Sequence, residues 1–244
     1  MTAGAMKLFC LPYAGASAAI YGRWRKRLLP VADVHPLELA GRGARMNEPL
    51  PDRVEDAVDD LFQRIEPYLD GSPYALFGHS MGSLLAFELV HRIQQAALPG
   101  PDPVIVSGRS APHVPAGNRY VHLMSDSEFR QELLSIGGTP QELFDTPSVY
   151  PMFERIIRSD YRMLETYRYA EKTEGIRANL IVLGGTEDST IQGPLEEWRR
   201  HAAAGYRIIR FRGGHFFIHE DEAEVVELLK KELGFRMLKG AGTS

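Results

Sequence analysis

Tyr74-Ala75-Leu76-Phe77-Gly78-His79-Ser80-Met81-Gly82 decides how this chain is read. Four apolar or aromatic residues, Tyr74 to Phe77, run into Gly78. Beyond Gly82 the apolar positions fall at helical spacing: Leu84, Leu85, Phe87, Leu89, Val90 and Ile93. The stretch therefore reads as a strand, a tight turn and a helix, with G-x-S-x-G at the turn. Small residues two before and two after Ser80 are what so sharp a turn needs, because the backbones on either side must approach closely. That context makes Ser80 the candidate nucleophile.

Working outward, short apolar runs alternate with helical patterns. Lys7 to Leu11, closed by Pro12, has the continuous hydrophobicity of a strand buried on both faces of a parallel sheet. Further strands are expected at Val34 to Leu39, Pro103 to Ser107, Asn179 to Leu183 and Tyr206 to Phe211. Helices are expected around Ile20, Trp24, Leu28 and Leu29, over Val54 to Leu69, and over Val225 to Leu233, with Gly234 at the end of the last. Asp52 with Glu55, Ser125 with Glu128, and Thr139 with Glu142 have capping-box spacing, and Pro140 takes the favoured first helical position. From Val114 to Tyr169 only helices are expected, split at Gly137-Gly138. Such alternation implies an α/β architecture, a mostly parallel sheet with helices on both faces. The expected organisation is a core formed by residues 1–113 and 170–238, a helical lid over 114–169 that moves as a unit, and a disordered tail over 239–244. With six residues ahead of the first run, no antiparallel opening strands are expected.

Composition narrows the function classes. The 244 residues are 44% hydrophobic and 25% charged, as in an ordinary globular protein, and the net charge of −4 argues against a nucleic-acid partner. Neither a signal peptide nor a membrane span is expected, so the reading is cytoplasmic, with no membrane partner and a monomer as the simplest state. The one cysteine, Cys10, falls within the first strand and reads as a buried core residue. The basic group Arg23, Arg25, Lys26 and Arg27 reads as a solvated helix face.

A serine hydroxyl needs a general base, and the base an orienting acid. In α/β-hydrolases these follow the order Ser, Asp or Glu, His, on loops at the carboxyl ends of strands. Of eight histidines, His215 alone follows directly on a late strand, after Gly213-Gly214; His219 is its rival one helical turn on. The loop after the fifth strand offers Asp188 and Glu187 as the acid. Asp188 is preferred, and Glu187 stays open. The oxyanion hole is expected from the backbone N–H groups of Met81 and Ala14. His215 and His219 are four apart, as in some zinc helices, but neither the H-E-x-x-H glutamate nor a third ligand is present, so no metal and no cofactor are expected.

Across Lys7 to Phe235 the chain resembles the type II thioesterases, stand-alone editing hydrolases of nonribosomal peptide and polyketide synthesis. The resemblance rests on Leu11-Pro12-Tyr13-Ala14-Gly15, Glu38-Leu39-Ala40-Gly41-Arg42-Gly43, the Ser80 turn, Ser107-Gly108-Arg109-Ser110-Ala111-Pro112, Gly137-Gly138-Thr139-Pro140, Leu164-Glu165-Thr166-Tyr167-Arg168-Tyr169 and Gly213-Gly214-His215-Phe216-Phe217. It departs at Ala16 and Ser83, where the family often has glycine, and at Ala40, where it often has proline. The resemblance implies an α/β-hydrolase fold and, as substrate, an acyl thioester on the phosphopantetheine arm of a carrier protein. The residues alone give a serine hydrolase, which leaves a carboxylester hydrolase or an acyltransferase as alternatives; a noncatalytic carrier-binding module is disfavoured by the intact set of Ser80, Asp188 and His215. Ser80→Ala is expected to lower hydrolysis on the order of a million-fold while leaving the circular dichroism spectrum unchanged, with product release followed by mass.

Overall fold

Six strands, β1 (Met6–Leu11), β2 (Ala32–Pro36), β3 (Tyr74–His79), β4 (Val104–Ser107), β5 (Leu180–Gly185) and β6 (Tyr206–Phe211), form one sheet in the order β2-β1-β3-β4-β5-β6. Every ladder is parallel. This is the computed structural model of the chain, and it describes residues 5–115, 117 and 120–240. The helices are α1 (Gly22–Leu28), α2 (Val54–Ile65), α3 (Met81–Gln95), α4 (Asp126–Ile136), α5 (Gln141–Phe144), α6 (Tyr150–Thr166), α7 (Phe217–Glu220) and α8 (Glu222–Gly240). None among the described residues is long and apolar enough to cross a membrane.

The alternation of side chains along the strands builds the two halves of the core. Leu8 and Cys10 of β1, with Ala75 and Phe77 of β3, pack with Trp24 and Leu28 of α1 and Val225, Val226 and Leu229 of α8. Phe9 and Leu11, with Tyr74 and Leu76, face the opposite way onto α2 and α3 through Leu61, Ile65, Leu84 and Leu85. Each such fully buried side chain contributes about 1.5–3 kcal/mol. Burial also raises the Cys10 thiol well above its usual range, which keeps it neutral. A third apolar cluster, Val121, Phe129, Leu133, Phe144 and Ile157, holds α4, α5 and α6 together, and Ala14 of the loop after β1 packs against it.

Several expectations shift. β2 starts earlier than expected and stops at Pro36, its register running from Met6 with Ala32 to Cys10 with Pro36; Leu37 and Leu39 stay in the core as residues of the following loop. Ser125 and Glu128 do pair, the Ser125 N–H and hydroxyl donating to Glu128 Oε2 at 3.0 and 2.6 Å. The other two capping boxes do not form. Asp52 lies one residue ahead of the cap position of α2, which Arg53 takes, and pairs with Arg162 on α6. Pro140 is extended at ψ 139° and lies just ahead of α5 rather than within it. Leu29, expected on the helix face, is 58% exposed. α8 continues through Gly234, so Lys239 and Gly240 of the expected tail are helical and 241–244 lie outside the described residues.

The chain runs from β1 out to the edge strand β2, then crosses back to β3 on the other side of β1. The crevice at the carboxyl ends of β1 and β3 is thus the switch point of the sheet, the place where such folds bind ligands. Ser80 sits there, between β3 and α3. A Cβ on Gly78 would lie 2.0 Å from Gly82 O, and one on Gly82 would lie 2.2 Å from Leu11 O. Backbone blocks both positions, so nothing can give way cheaply. Gly78→Ala or Gly82→Ala is expected to cost about 3 kcal/mol or more. Gly100→Ala, with nothing within 4 Å of the added carbon, should stay within about 0.5 kcal/mol; chemical denaturation compares them.

Candidate active site

Ser80 adopts φ 53° and ψ −113°, a backbone region that a side chain rarely enters. Such strain costs on the order of 1–3 kcal/mol and persists only where surrounding structure holds it. Two contacts do so. The Ser80 N–H donates to Ser107 O at 2.7 Å. Behind the turn, Ser83 Oγ lies 2.8 Å from both Gly78 O and Ser107 O and accepts the Ser107 N–H at 2.8 Å. Ser83 thereby ties the first turn of α3 to the ends of β3 and β4. Met81 opens α3, so its N–H is among those a helix leaves without an internal acceptor, at the positive end of the dipole.

The loops after β5 and β6 bring the next two residues together. Asp188 Oδ2 lies 2.9 Å from His215 Nδ1, and their side chains are 0% and 8% exposed. Thr190 completes the arrangement. Its hydroxyl donates to Asp188 Oδ1 at 2.6 Å and lies 3.0 Å from His215 Nδ1, while its N–H donates to Asp188 Oδ1 at 3.0 Å. Burial opposes ionisation of Asp188, but the hydrogen bond to His215, the imidazole charge and the Thr190 donors outweigh it and hold the carboxyl below its usual range. Glu187 is exposed and meets the site only through its N–H, which donates to Gly213 O at 2.9 Å. The geometry joins Asp188, not Glu187, to His215.

Two cavities meet at Ser80 and His215. One, of about 140 Å³, runs under α4 and α5 and is lined by Leu133, Leu143, Phe153 and Ile157. The other, of about 230 Å³, runs past Arg109, Pro112, Leu164 and Tyr167 to Gln192. Ala14, Ile136 and Tyr161 wall both. Ala14 and Ser80 thus line the same two cavities.

The rival histidines point elsewhere. His219 Nε2 is 3.0 Å from the Tyr13 hydroxyl and lines neither cavity. His79 is fully buried with Nδ1 2.9 Å from Ser107 Oγ. Burial, then the neighbouring imidazole charges of His215 and His219, keeps it well below the ordinary histidine range, hence neutral. Among the described residues no group of three or more His, Cys, Asp or Glu side chains is arranged to hold a metal ion.

Sequence reasoning passed over Thr190, although Asp188-Ser189-Thr190 has the spacing of an Asx turn. It also passed over the contact of Gly138 with Phe216, where an added Cβ would lie 2.3 Å from the ring. The pair Arg42 and Asp160, joined by two 2.6 Å bonds, carried no local signal either.

The family model described as "Thioesterase domain" matches residues 6–233. The gramicidin S biosynthesis protein GrsT of Aneurinibacillus migulanus is 31% identical over 95% of this chain and 90% of its own. Among solved structures, ClbQ from the colibactin NRPS/PKS pathway superposes with a TM-score of 0.89 at 33% identity, covering 95% of this chain and 98% of that one. The type II thioesterase BorB from the borrelidin biosynthetic cluster gives 0.84 at 33% identity, over 94% and 93%.

The Asp188 carboxyl titrates lower in the fold than in the unfolded chain. Its stabilising contribution is therefore complete above the unfolded value of about 3.9 and is lost as pH falls through the lower folded value. The stability difference between the native protein and Asp188→Asn, read by thermal melts from neutral pH into acid, is expected to stay constant down to that range and then shrink. The same variant should lose kcat by about 10⁴-fold at neutral pH, by analogy with triad asparagine variants.

Proposed function

This chain belongs to the thioesterase family and is a thioester hydrolase, and we propose that it releases acyl groups from the phosphopantetheine arm of carrier proteins through an acyl-enzyme on Ser80. The observation that carries the reading is the buried Asp188–His215 pair at the junction of two cavities that both reach Ser80. A general base held by a carboxylate next to a serine at a strained turn is the equipment of acyl transfer.

In the proposed reaction His215 Nε2 takes the Ser80 proton as Oγ bonds to the thioester carbonyl carbon. Asp188 holds the resulting imidazolium through Nδ1–H. The N–H groups of Met81 and Ala14 receive the oxyanion, the C–S bond breaks, and His215 returns the proton to the leaving thiol. Water then attacks the acyl-enzyme, His215 taking its proton and passing it to Ser80 as the acid departs. Every proton is accounted for within these residues.

The two cavities divide the substrate. The apolar one under α4 and α5 suits the acyl group, and the larger one suits the arm. A dry cavity of about 150 Å³ takes a benzene ring, so about 140 Å³ fits short chains, roughly two to six carbons. The helices between Val114 and Tyr169 serve as the lid, set on a core of residues 1–113 and 170–238. The relatives ClbQ and BorB come from biosynthetic clusters of the polyketide and nonribosomal peptide type, and this protein is assigned the same editing or release role.

Acyl groups of graded length, loaded on a phosphopantetheinyl carrier protein, on coenzyme A and as simple esters, test the proposal, with release followed by mass. Fastest release from the carrier, at short chain length, is expected. Preference for the esters, or transfer of the acyl group to an added alcohol or amine, would retain the serine chemistry and overturn the role.

A further inference from the structure

We infer that Arg42 and Asp160 are positioning residues that hold the loop after β1 in the shape an oxyanion donor needs. This rests on the reading of Ala14 as that donor. Neither residue touches the reacting atoms. Asp160 lies on α6 and Arg42 in the loop after β2, and they are 1% and 2% exposed. Arg42 donates through both terminal nitrogens, at 2.6 Å each, to the two oxygens of Asp160. The same carboxylate accepts a third bond, from the Gly15 N–H, at 2.8 Å.

That third bond gives the pair its purpose. Tyr13 to Ala16 form a tight turn, closed by Ala16 N–H donating to Tyr13 O at 3.1 Å, with Gly15 at φ +77°. This is the sign required at the third position of a type II turn. The peptide between Ala14 and Gly15 is the one that reverses when such a turn becomes type I. Asp160 accepts from its N–H and so selects one orientation; the reverse would aim the Ala14 carbonyl at a carboxylate. The far end of the loop is held in the same way, by Glu38, which accepts from the Ser17 hydroxyl at 2.7 Å and the Ala18 N–H at 3.0 Å. Ile157 closes the remaining side, 2.9 Å from where a Gly15 Cβ would lie.

Stability does not account for the pair. Burying a guanidinium and a carboxylate is costly, and apolar residues of like volume often serve the fold as well or better. Here Arg42 Nε is also buried without an acceptor among the described residues. Electrostatics explains why there is a pair rather than a lone aspartate. An uncompensated carboxylate on this loop would oppose the negative charge that develops on the carbonyl oxygen. Arg42 offsets it, leaving Asp160 free to hold the Ala14–Gly15 peptide and, through it, the turn whose preceding peptide carries the Ala14 N–H.

The test sets stability against rate. Asp160→Asn keeps a carbonyl oxygen for Gly15 but loses half of the ion pair. The double variant Arg42→Met, Asp160→Leu fills the space with apolar atoms and offers Gly15 nothing. The Asn variant is expected to melt lower than the double variant, yet to keep kcat within about tenfold of native, since its acceptor survives. The double variant should lose kcat by about 100- to 1000-fold, as when an oxyanion donor is removed, with KM little changed. Native kcat in the double variant, an equal loss in both variants, or a loss confined to KM would overturn the inference. A native protein inactive on thioesters but active on a p-nitrophenyl ester would end only the substrate reading, because the variants compared on that ester still decide the role of the pair.

Discussion

The fold is built around one strained residue. Ser80 holds positive φ only because the backbone before and after it is pressed into place: Gly78 against Gly82, and Gly82 against the carbonyl of Leu11. The strain is distributed over three strands, since β1 supplies Leu11, β3 leads into the turn, and β4 accepts the Ser80 N–H through Ser107. These strands are adjacent and central, with every side chain of β3 and β4 buried. A sheet edge would offer no such support. The position of Ser80 thus follows from the switch in strand order between β1 and β3, which opens a crevice where the backbone is least able to yield.

Much of this was legible in the sequence, for a definite reason. A strand buried on both faces must be apolar throughout, and a turn between two closely packed backbones must use glycine; both requirements write themselves into consecutive residues. β3, the Ser80 turn and β6 are read almost to the residue. Where partners are distant the signal fades. Asp52 has the local chemistry of a helix cap, but α2 starts one residue later than that chemistry implies, and the carboxylate meets a guanidinium on α6 instead. Gly234 has the local chemistry of a helix end, but α8 runs on past it to Gly240. Asp188 and Glu187 are neighbours of like chemistry, separated only by which of them the turn after β5 carries inward.

Ser83 shows the same limit from another side. It stands as a departure from the glycine common in similar proteins, and only the fold shows that its hydroxyl bonds the ends of both β3 and β4. Arg42 and Asp160 are 118 residues apart, and neither residue type, alone, signals a buried pair. Interactions that span the chain can be inferred only after the sheet order is known.

The scattering of the site along the chain has a consequence for its own manufacture. Ala14 and Ser80 leave the ribosome early, Asp160 later, and Asp188 and His215 only with the last two strands, which add at one edge of the sheet. On the roles proposed above, an unfinished chain holds Ser80 without His215 and the loop after β1 without Asp160. Because a domain generally folds as a unit, the proposed catalytic set comes together only when β6, whose following loop carries His215, closes onto β5. Hydrolysis, on that reading, is a property of the finished chain.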